Sequence, residues 1–262
     1  MPAPALAPVG VFDSGVGGLS VLRALTAELP REDFVYFADT AHAPYGERGD
    51  PFVIGRSRAI LDELVRRHGI KALVVACNTA TAAAIQLLRS EYPQLPLVGV
   101  EPALKPAAVL TCTGRVAVFA TRGTLASAKF AALHDSLTDQ AQFVLQPCDG
   151  LAAAIENDDP GQVRSLCEQY TRMAGPFGTA AGEIDTLVLG CTHYPFAQDE
   201  FVRCVGPAVR LVETGQPVAR QTRRLLEAAR LLRPPPGRGR VTLLTSGSQP
   251  ALEAAARRWL PA

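Results

Sequence analysis

The sequence lacks several features that would set it apart from ordinary globular proteins. No run of 18 apolar residues occurs, so we expect no membrane span. The opening MPAPALAPVG has neither the basic segment nor the long apolar segment of a secretory signal. Excess charge is missing too, since 26 Lys and Arg against 25 Asp and Glu leave a net charge of +1. That balance predicts neither a nucleic-acid partner nor a membrane surface.

Closely spaced cysteine pairs are also absent. The six cysteines are spread along the chain at positions 77, 112, 148, 167, 191 and 204. In 262 residues without a secretory signal, this spacing is typical of free thiols in a cytoplasmic protein rather than of a disulfide framework. With 48% hydrophobic and 19% charged residues, the chain has the composition of one large globular domain or two ordinary ones.

Short apolar runs alternate with helical stretches along the whole chain. Continuous apolar runs favour strands that are buried on both faces, and their alternation with helices predicts an α/β fold with parallel sheets. The runs are VGVF (9–12), FVYF (34–37), ALVVA (72–76), PLVGV (96–100), RVAVF (115–119), QFVLQ (142–146), TLVLG (186–190), VRLV (209–212) and VTLLT (241–245).

Two parts of the chain follow the same plan. VFDSGVGGLS is matched by VFATRGTLAS, and LVVACNTATAAA is matched by LVLGCTHYPFAQ. We therefore predict two related α/β domains that face each other. The first would comprise residues 1–102 and 211–262, and the second residues 103–210.

Polar clusters follow several of the predicted strands. Ligands of parallel α/β sheets bind at the carboxyl ends of the strands, so these clusters are candidate site residues. They are Asp13-Ser14, Cys77-Asn78-Thr79, Thr121 to Thr124, and Cys191-Thr192-His193. Asn78 and Thr79 have an alternative role as caps of a helix that begins near Ala80. That alternative does not explain why both matching segments carry a thiol at the same point.

Two thiols on opposite sides of a substrate carbon are suited to inverting a stereocentre. One thiolate removes a proton from one face, and the other thiol returns a proton to the opposite face. An unperturbed thiol has a pKa of about 8.5, close enough to neutrality for both forms to be used. The carbanion needs fixed hydrogen-bond donors, and Asn78, Thr79 and Thr192 carry suitable amide and hydroxyl groups.

Other chemistries fit the same residues less well. The string DSGVGG resembles a dinucleotide-binding turn, but Ser20 stands where the third glycine is needed. An aspartyl phosphatase would need a second aspartate where Gly15 is found. Zinc would need a second ligand pair besides Cys191 and His193. Those two residues could instead form a thiol hydrolase, although residues two positions apart need not face each other.

Six stretches give the chain a resemblance to the glutamate racemases of the aspartate/glutamate racemase superfamily. They are FDSGVGGLSVL (12–22), YFADTAHAPYGER (36–48), VACNTATA (75–82), GVEPALKPA (99–107), LGCTHYP (189–195) and TSG (245–247). The resemblance implies two α/β domains related by a pseudo-twofold axis, with the active site in the cleft between them. It also implies that L- and D-glutamate are interconverted without pyridoxal phosphate, metal or nucleotide, which supplies D-glutamate for peptidoglycan.

The resemblance also assigns roles by motif match. Cys77 and Cys191 would be the acid/base residues, with Cys77 acting on the D-isomer and Cys191 on the L-isomer. Asp13, Glu156 and His193 would support them. The residues expected to hold the amino acid are Asp13, Ser14, Tyr45, Gly46, Asn78, Thr79, Thr121, Thr192 and His193.

Two rival functions stay open at this point. An aspartate or other amino-acid racemase of the same superfamily would share every motif, because the sequence does not fix the distance to the distal carboxylate. A regulator that binds a small molecule would keep the fold without the chemistry, although the two intact cysteines speak against it. The family also leads us to expect a homodimer.

Overall fold

A computed structural model describes residues 5–260 of the chain. The chain forms two compact units. The first consists of the residues up to Val100 together with those from Gly215 onward, and the second is Glu101–Thr214. Each unit is built on one parallel sheet, so the predicted α/β fold class is confirmed. No helix among the described residues has both the length and the apolar character needed to cross a membrane.

Every apolar run named in the sequence forms a strand. In chain order the strands are β1 (Val9–Asp13), β2 (Phe34–Ala38), β3 (Ala72–Val75), β4 (Leu97–Gly99), β5 (Arg115–Ala120), β6 (Gln142–Pro147), β7 (Thr186–Leu189), β8 (Arg210–Val212) and β9 (Val241–Thr245). The first unit has the strand order β4-β3-β1-β2-β9, and the second has β6-β5-β7-β8. All the strand pairs of both sheets are parallel.

Helices connect the strands, as parallel pairing requires. They are α1 (Leu19–Glu28), α2 (Asp50–His68), α3 (Asn78–Glu91), α4 (Leu104–Leu110), α5 (Arg122–Leu125), α6 (Ala128–Asp135), α7 (Leu151–Glu156), α8 (Pro160–Ala174), α9 (Gln198–Val205), α10 (Gly215–Ala228) and α11 (Gln249–Trp259). Short 3-10 turns cover Thr40–His42, Tyr45–Glu47 and Tyr194–Ala197.

The sheet of the second unit explains why residues 116–120 of β5 are all apolar. Successive side chains of a strand point to opposite faces. Phe119 of β5 packs with Phe201 of α9 on one face, whereas Val118 packs with Leu104 of α4 on the other. Both faces are therefore covered beyond Arg115, and the buried positions that follow it are apolar.

A buried ion pair lies at the amino-terminal ends of the strands in the first unit. Lys71 precedes β3 and Glu32 precedes β2, and their side chains are 0% and 2% exposed. The Lys71 ammonium donates to Glu32 Oε2 and also to the Ala5 carbonyl oxygen at 2.6 Å. The second carboxylate oxygen of Glu32 accepts from the Arg233 backbone N–H at 2.7 Å. The ammonium and the carboxylate neutralise each other. Removing either one would leave the other as an unpaired buried charge, which would destabilise the fold.

Replacing Lys71 alone is expected to destabilise the first unit strongly. In Lys71→Met the Glu32 carboxylate loses its cation inside the protein, which costs about 3–5 kcal/mol. Urea unfolding measures this as a lower midpoint. The control is Arg66→Ala, which breaks an Arg66–Asp62 pair that is 79% and 44% exposed and should cost at most about 0.5 kcal/mol. Equal midpoints for the two variants would show that the buried pair does not stabilise the fold.

Candidate active site

The carboxyl ends of β1 and β3 bring the first group of predicted residues together. These strands are neighbours in register, with Phe12 beside Val75. Asp13 and Ser14 at the end of one strand therefore lie next to Cys77 and Asn78 at the end of the other. The Cys77 thiol lies 3.8 Å from the Ser14 hydroxyl oxygen. Cys77 and Ser14 are both buried.

Cys77 is the N-terminal cap of helix α3. Its backbone is extended, with φ −131° and ψ 122°, and its sulfur accepts a hydrogen bond from the Ala80 N–H at 3.4 Å. The interpretation that Asn78 and Thr79 cap a helix starting near Ala80 is therefore wrong, because the helix starts at Asn78 and the cap is the thiol. The positive end of the helix dipole and a backbone N–H both favour negative charge on this sulfur.

Asn78 carries an unmet hydrogen-bonding group beside that sulfur. Its side-chain amide is buried, and neither its oxygen nor its nitrogen has a partner within residues 5–260. A buried amide without a partner costs about 1–3 kcal/mol, so proteins rarely keep one. Its presence in the first turn of α3 is typical of a site that a polar ligand completes. Thr79, the next residue, is also buried.

Asp13 anchors the turn that follows β1. It is fully buried, and its Oδ2 accepts from the Gly18 N–H at 2.5 Å. The Tyr36 hydroxyl donates to the Gly15 carbonyl oxygen at 2.6 Å and holds the same turn from β2. The Asp13 carboxylate is therefore fixed at the same sheet edge as Cys77, one strand away.

Tyr45 and Gly46 lie in a 3-10 turn on a loop of the same unit. Tyr45 is 1% exposed, and its hydroxyl donates to Asp39 Oδ2 at 2.5 Å. Burial and the adjacent carboxylate both raise the pKa of Tyr45 far above its usual value. The phenol therefore stays protonated and is engaged by Asp39. Asp39 was not singled out by sequence reasoning, although it stands inside the quoted string YFADTAHAPYGER.

The second group of predicted residues lies at the carboxyl end of β7. Gly190 separates the strand from Cys191 and passes very close to β5. A Cβ at position 190 would lie 2.8 Å from the Phe119 carbonyl oxygen, and the Gly190 N–H already bonds that oxygen at 2.7 Å. Only glycine fits this approach, and it fixes where Cys191 leaves the sheet.

Cys191, His193 and Glu156 form a chain of polar contacts. The Cys191 sulfur lies 3.7 Å from His193 Nδ1, and His193 Nε2 lies 2.7 Å from Glu156 Oε2. Burial opposes the charged imidazole, but the sulfur of Cys191 and the carboxylate of Glu156 outweigh it and raise the pKa of His193 well above its usual range. The chain can therefore hold a proton at His193, next to the sulfur.

Two threonines complete the second group. Thr192 is buried between Cys191 and His193 in sequence. Thr121 follows β5, the strand next to β7, and its hydroxyl oxygen caps the short helix α5 by accepting from the Thr124 N–H at 3.3 Å. Thr121 and Cys191 thus belong to the same edge of the second sheet.

The four other cysteines have ordinary surroundings. Burial raises the pKa of Cys148 far above its usual value and that of Cys167 to about 12. Burial raises the pKa of half-buried Cys204 as well, and Cys112 is exposed. None of the six cysteines, all of which lie within residues 5–260, forms a disulfide. Within residues 5–260, no three His, Cys, Asp or Glu side chains are grouped as ligands of a metal ion would be.

Comparison with known proteins identifies the family to which the chain belongs. The chain belongs to the Asp/Glu/Hydantoin racemase family, whose model matches residues 9–222. It is 51% identical over 228 residues to the glutamate racemase of Pseudomonas paraeruginosa, covering 86% of this chain and 84% of that relative. The resemblance inferred from the motifs is thereby confirmed.

Solved structures agree with the fold. The glutamate racemase of Escherichia coli in complex with L-glutamate and the activator UDP-MurNAc-Ala superimposes with a TM-score of 0.83 at 31% identity, covering 97% of this chain and 95% of that one. The Thermus thermophilus glutamate racemase in complex with beta-chloro-D-alanine gives 0.79 at 36% identity, covering 99% and 96%.

Proposed function

We propose that this chain is a glutamate racemase that interconverts L- and D-glutamate without an organic cofactor or metal. The observation that carries the proposal is the pair of cysteines at equivalent strand ends, each beside groups that stabilise or move a proton. The similarity to glutamate racemases supports glutamate over other amino acids. D-glutamate made in this way would serve peptidoglycan synthesis.

Cys77 and Cys191 are the proposed acid/base residues. One sulfur, as thiolate, takes the α-proton from one face of the amino acid and becomes a thiol. The other sulfur starts as a thiol, gives its proton to the opposite face and becomes a thiolate. Atoms and charge balance, and the reverse reaction exchanges the two roles. In the family's pattern, which we adopt, Cys77 acts on D-glutamate and Cys191 on L-glutamate.

Each cysteine has its own means of handling charge. The helix N-terminus and the Ala80 N–H stabilise negative charge on Cys77. At Cys191, the protonated His193 balances the charge on sulfur or returns a proton to it, while Glu156 keeps the imidazole protonated. Asp13 supports the first cysteine from the neighbouring strand.

The substrate would be held by the polar groups that follow the strand ends. The unmet amide of Asn78 is the best supported of these contacts, because a ligand would satisfy it. Since the Tyr45 phenol is engaged by Asp39, we propose that Tyr45 and Gly46 contribute their peptide N–H groups. The remaining proposed contacts are Asp13, Ser14, Thr79, Thr121, Thr192 and His193.

Domain limits, location and assembly belong to the proposal as well. The two units support domains of 1–102 with 211–262 and of 103–210. A cytoplasmic location, a homodimer, and the absence of a nucleic-acid or membrane partner stay predictions of the sequence.

Circular dichroism of each pure enantiomer with the purified protein tests the function. We expect the signal of L-glutamate and that of D-glutamate both to decay to zero, because the equilibrium mixture of enantiomers is racemic. L-Aspartate at the same concentration is the matched control and should keep its signal. If only the aspartate signal decays, the substrate is aspartate and not glutamate. If neither signal decays, the chain is a binding protein without racemase activity.

A further inference from the structure

Asp39 is the centre of a buried network that the reaction scheme does not use. It follows β2 and is fully buried. Besides the Tyr45 hydroxyl, its carboxylate accepts two hydrogen bonds from the Arg56 guanidinium of α2, from Nε and from Nη2, each at 2.8 Å. His42 Nδ1 lies 2.9 Å from Asp39 Oδ1, the oxygen that also accepts from Arg56 Nη2. One side chain thus ties α2 to two points of the loop between β2 and α2, at His42 and at Tyr45.

The TSG string at the end of β9 contacts the start of the same loop. The Thr245 and Thr40 hydroxyl oxygens are 2.7 Å apart, and the Ala41 N–H donates to the Ser246 hydroxyl at 3.2 Å. Gly247 lies so close to the loop that a Cβ there would be 2.4 Å from the Thr40 hydroxyl oxygen. The TSG string therefore packs directly on Thr40 and Ala41, at the start of the loop. The sequence alone assigns it no role.

We infer that Arg56 and the turn Thr245–Gly247 are positioning residues for substrate binding, because together they fix the loop of residues 40–48 that carries Tyr45 and Gly46. Arg56 acts through Asp39, whose carboxylate accepts a hydrogen bond from the Tyr45 phenol. The turn acts through Thr40 and Ala41. The inference rests on the proposed function in one respect, namely that Tyr45 and Gly46 contact the amino acid.

The geometry explains why arginine is needed at position 56. A planar guanidinium presents two parallel N–H groups to one carboxylate, and a lysine ammonium cannot reproduce that fork. With lysine, the Asp39 carboxylate keeps a positive neighbour but is free to rotate, so the phenol and the loop lose their fixed position. A loop that must be ordered by the substrate weakens binding.

Steady-state racemisation kinetics of Arg56→Lys test this inference. We expect KM to rise about tenfold while kcat changes less than about threefold, since the loss affects binding rather than proton transfer. Arg58→Lys is the matched control, because Arg58 lies on the same helix and pairs through Nε and Nη2 with Glu91 on an exposed surface. Unchanged KM in Arg56→Lys, with the wild type active, would overturn the inference and leave the proposed function intact.

A double-mutant cycle separates positioning from general loss of structure. If Arg56 acts through Asp39 on Tyr45, then Arg56→Lys should raise KM much less in a Tyr45→Phe background than in the wild type. Additive effects of the two substitutions would contradict the route.

Hydrogen exchange without substrate gives a readout that needs no enzymatic activity. Residues 40–48 should exchange at least about tenfold faster in Arg56→Lys and in Ser246→Ala than in Arg58→Lys. Equal exchange in all three variants would show that the loop is fixed by other contacts.

Discussion

Cys77→Ser and Cys191→Ser are each expected to lower racemisation of both enantiomers by about 10²–10⁴-fold, or more because a hydroxyl loses its proton far less readily than a thiol. The substitutions should leave the fold unchanged. Serine is a strong helix cap, so in Cys77→Ser the hydroxyl can accept from the Ala80 N–H as the sulfur does. Racemisation rates with L- and D-glutamate measure the loss. A melting temperature equal to that of the wild type shows that the variant is folded.

Two controls make this test specific. Cys112→Ser removes an exposed thiol and should keep wild-type turnover. Alkylation followed by mass spectrometry should then show glutamate protecting Cys77 and Cys191 while Cys112 reacts equally with and without it. Near-normal turnover of either strand-end variant, or protection of only one of the two thiols, would end the two-cysteine scheme.

His193→Asn is expected to lower kcat/KM about 10²-fold. Cys191 loses the imidazolium that balances negative charge on its sulfur or returns a proton to it. The equilibrium constant between enantiomers is one, so kcat/KM must fall by the same factor in both directions. Only kcat and KM taken separately can change unequally. Initial rates with both enantiomers therefore supply an internal check, and wild-type kcat/KM in this variant would remove His193 from the scheme.

Glu156→Gln separates the charge of the carboxylate from its position. The pKa of His193 is raised partly by Glu156, so the neutral amide should lower its titration midpoint. Nuclear magnetic resonance of the imidazole in both proteins measures that midpoint. We expect kcat/KM to fall most above the new midpoint, where the imidazole is neutral. An unmoved midpoint would mean that Glu156 only orients the ring.

Local patterns are sufficient to predict the strands and to place Cys77 and Cys191 just after the ends of two of them. β3 and β7 are uninterrupted apolar runs followed at once by polar residues, so their ends are visible in the sequence. The sequence predicts a helix start near Ala80, whereas α3 starts at Asn78 because the Cys77 sulfur is the cap. Cysteine is not among the usual cap residues, and only the extended backbone of Cys77 and its contact with Ala80 reveal it.

Contacts between distant positions could not be derived in this way. Glu156 and His193 are 37 positions apart, and their contact depends on where α7 ends relative to the segment after β7. The resemblance to a family supplied Glu156, whereas nothing local indicated it. Asp39 and Arg56 were missed for the same reason, because an aspartate before a loop and an arginine on a helix are common surface residues until the fold buries one against the other.

The sulfur that is proposed to exchange a proton at Cys77 also closes the first turn of α3. A thiolate attracts the Ala80 N–H more strongly than a neutral thiol does. Charge state and local order are therefore linked at this point of the chain: the turn bearing Asn78 and Thr79 is firmest when the sulfur is ready to abstract a proton and slackens once it has done so. When the reaction starts from L-glutamate, Cys77 begins as a thiol and ends as a thiolate, so the order is reversed and the turn tightens as D-glutamate forms.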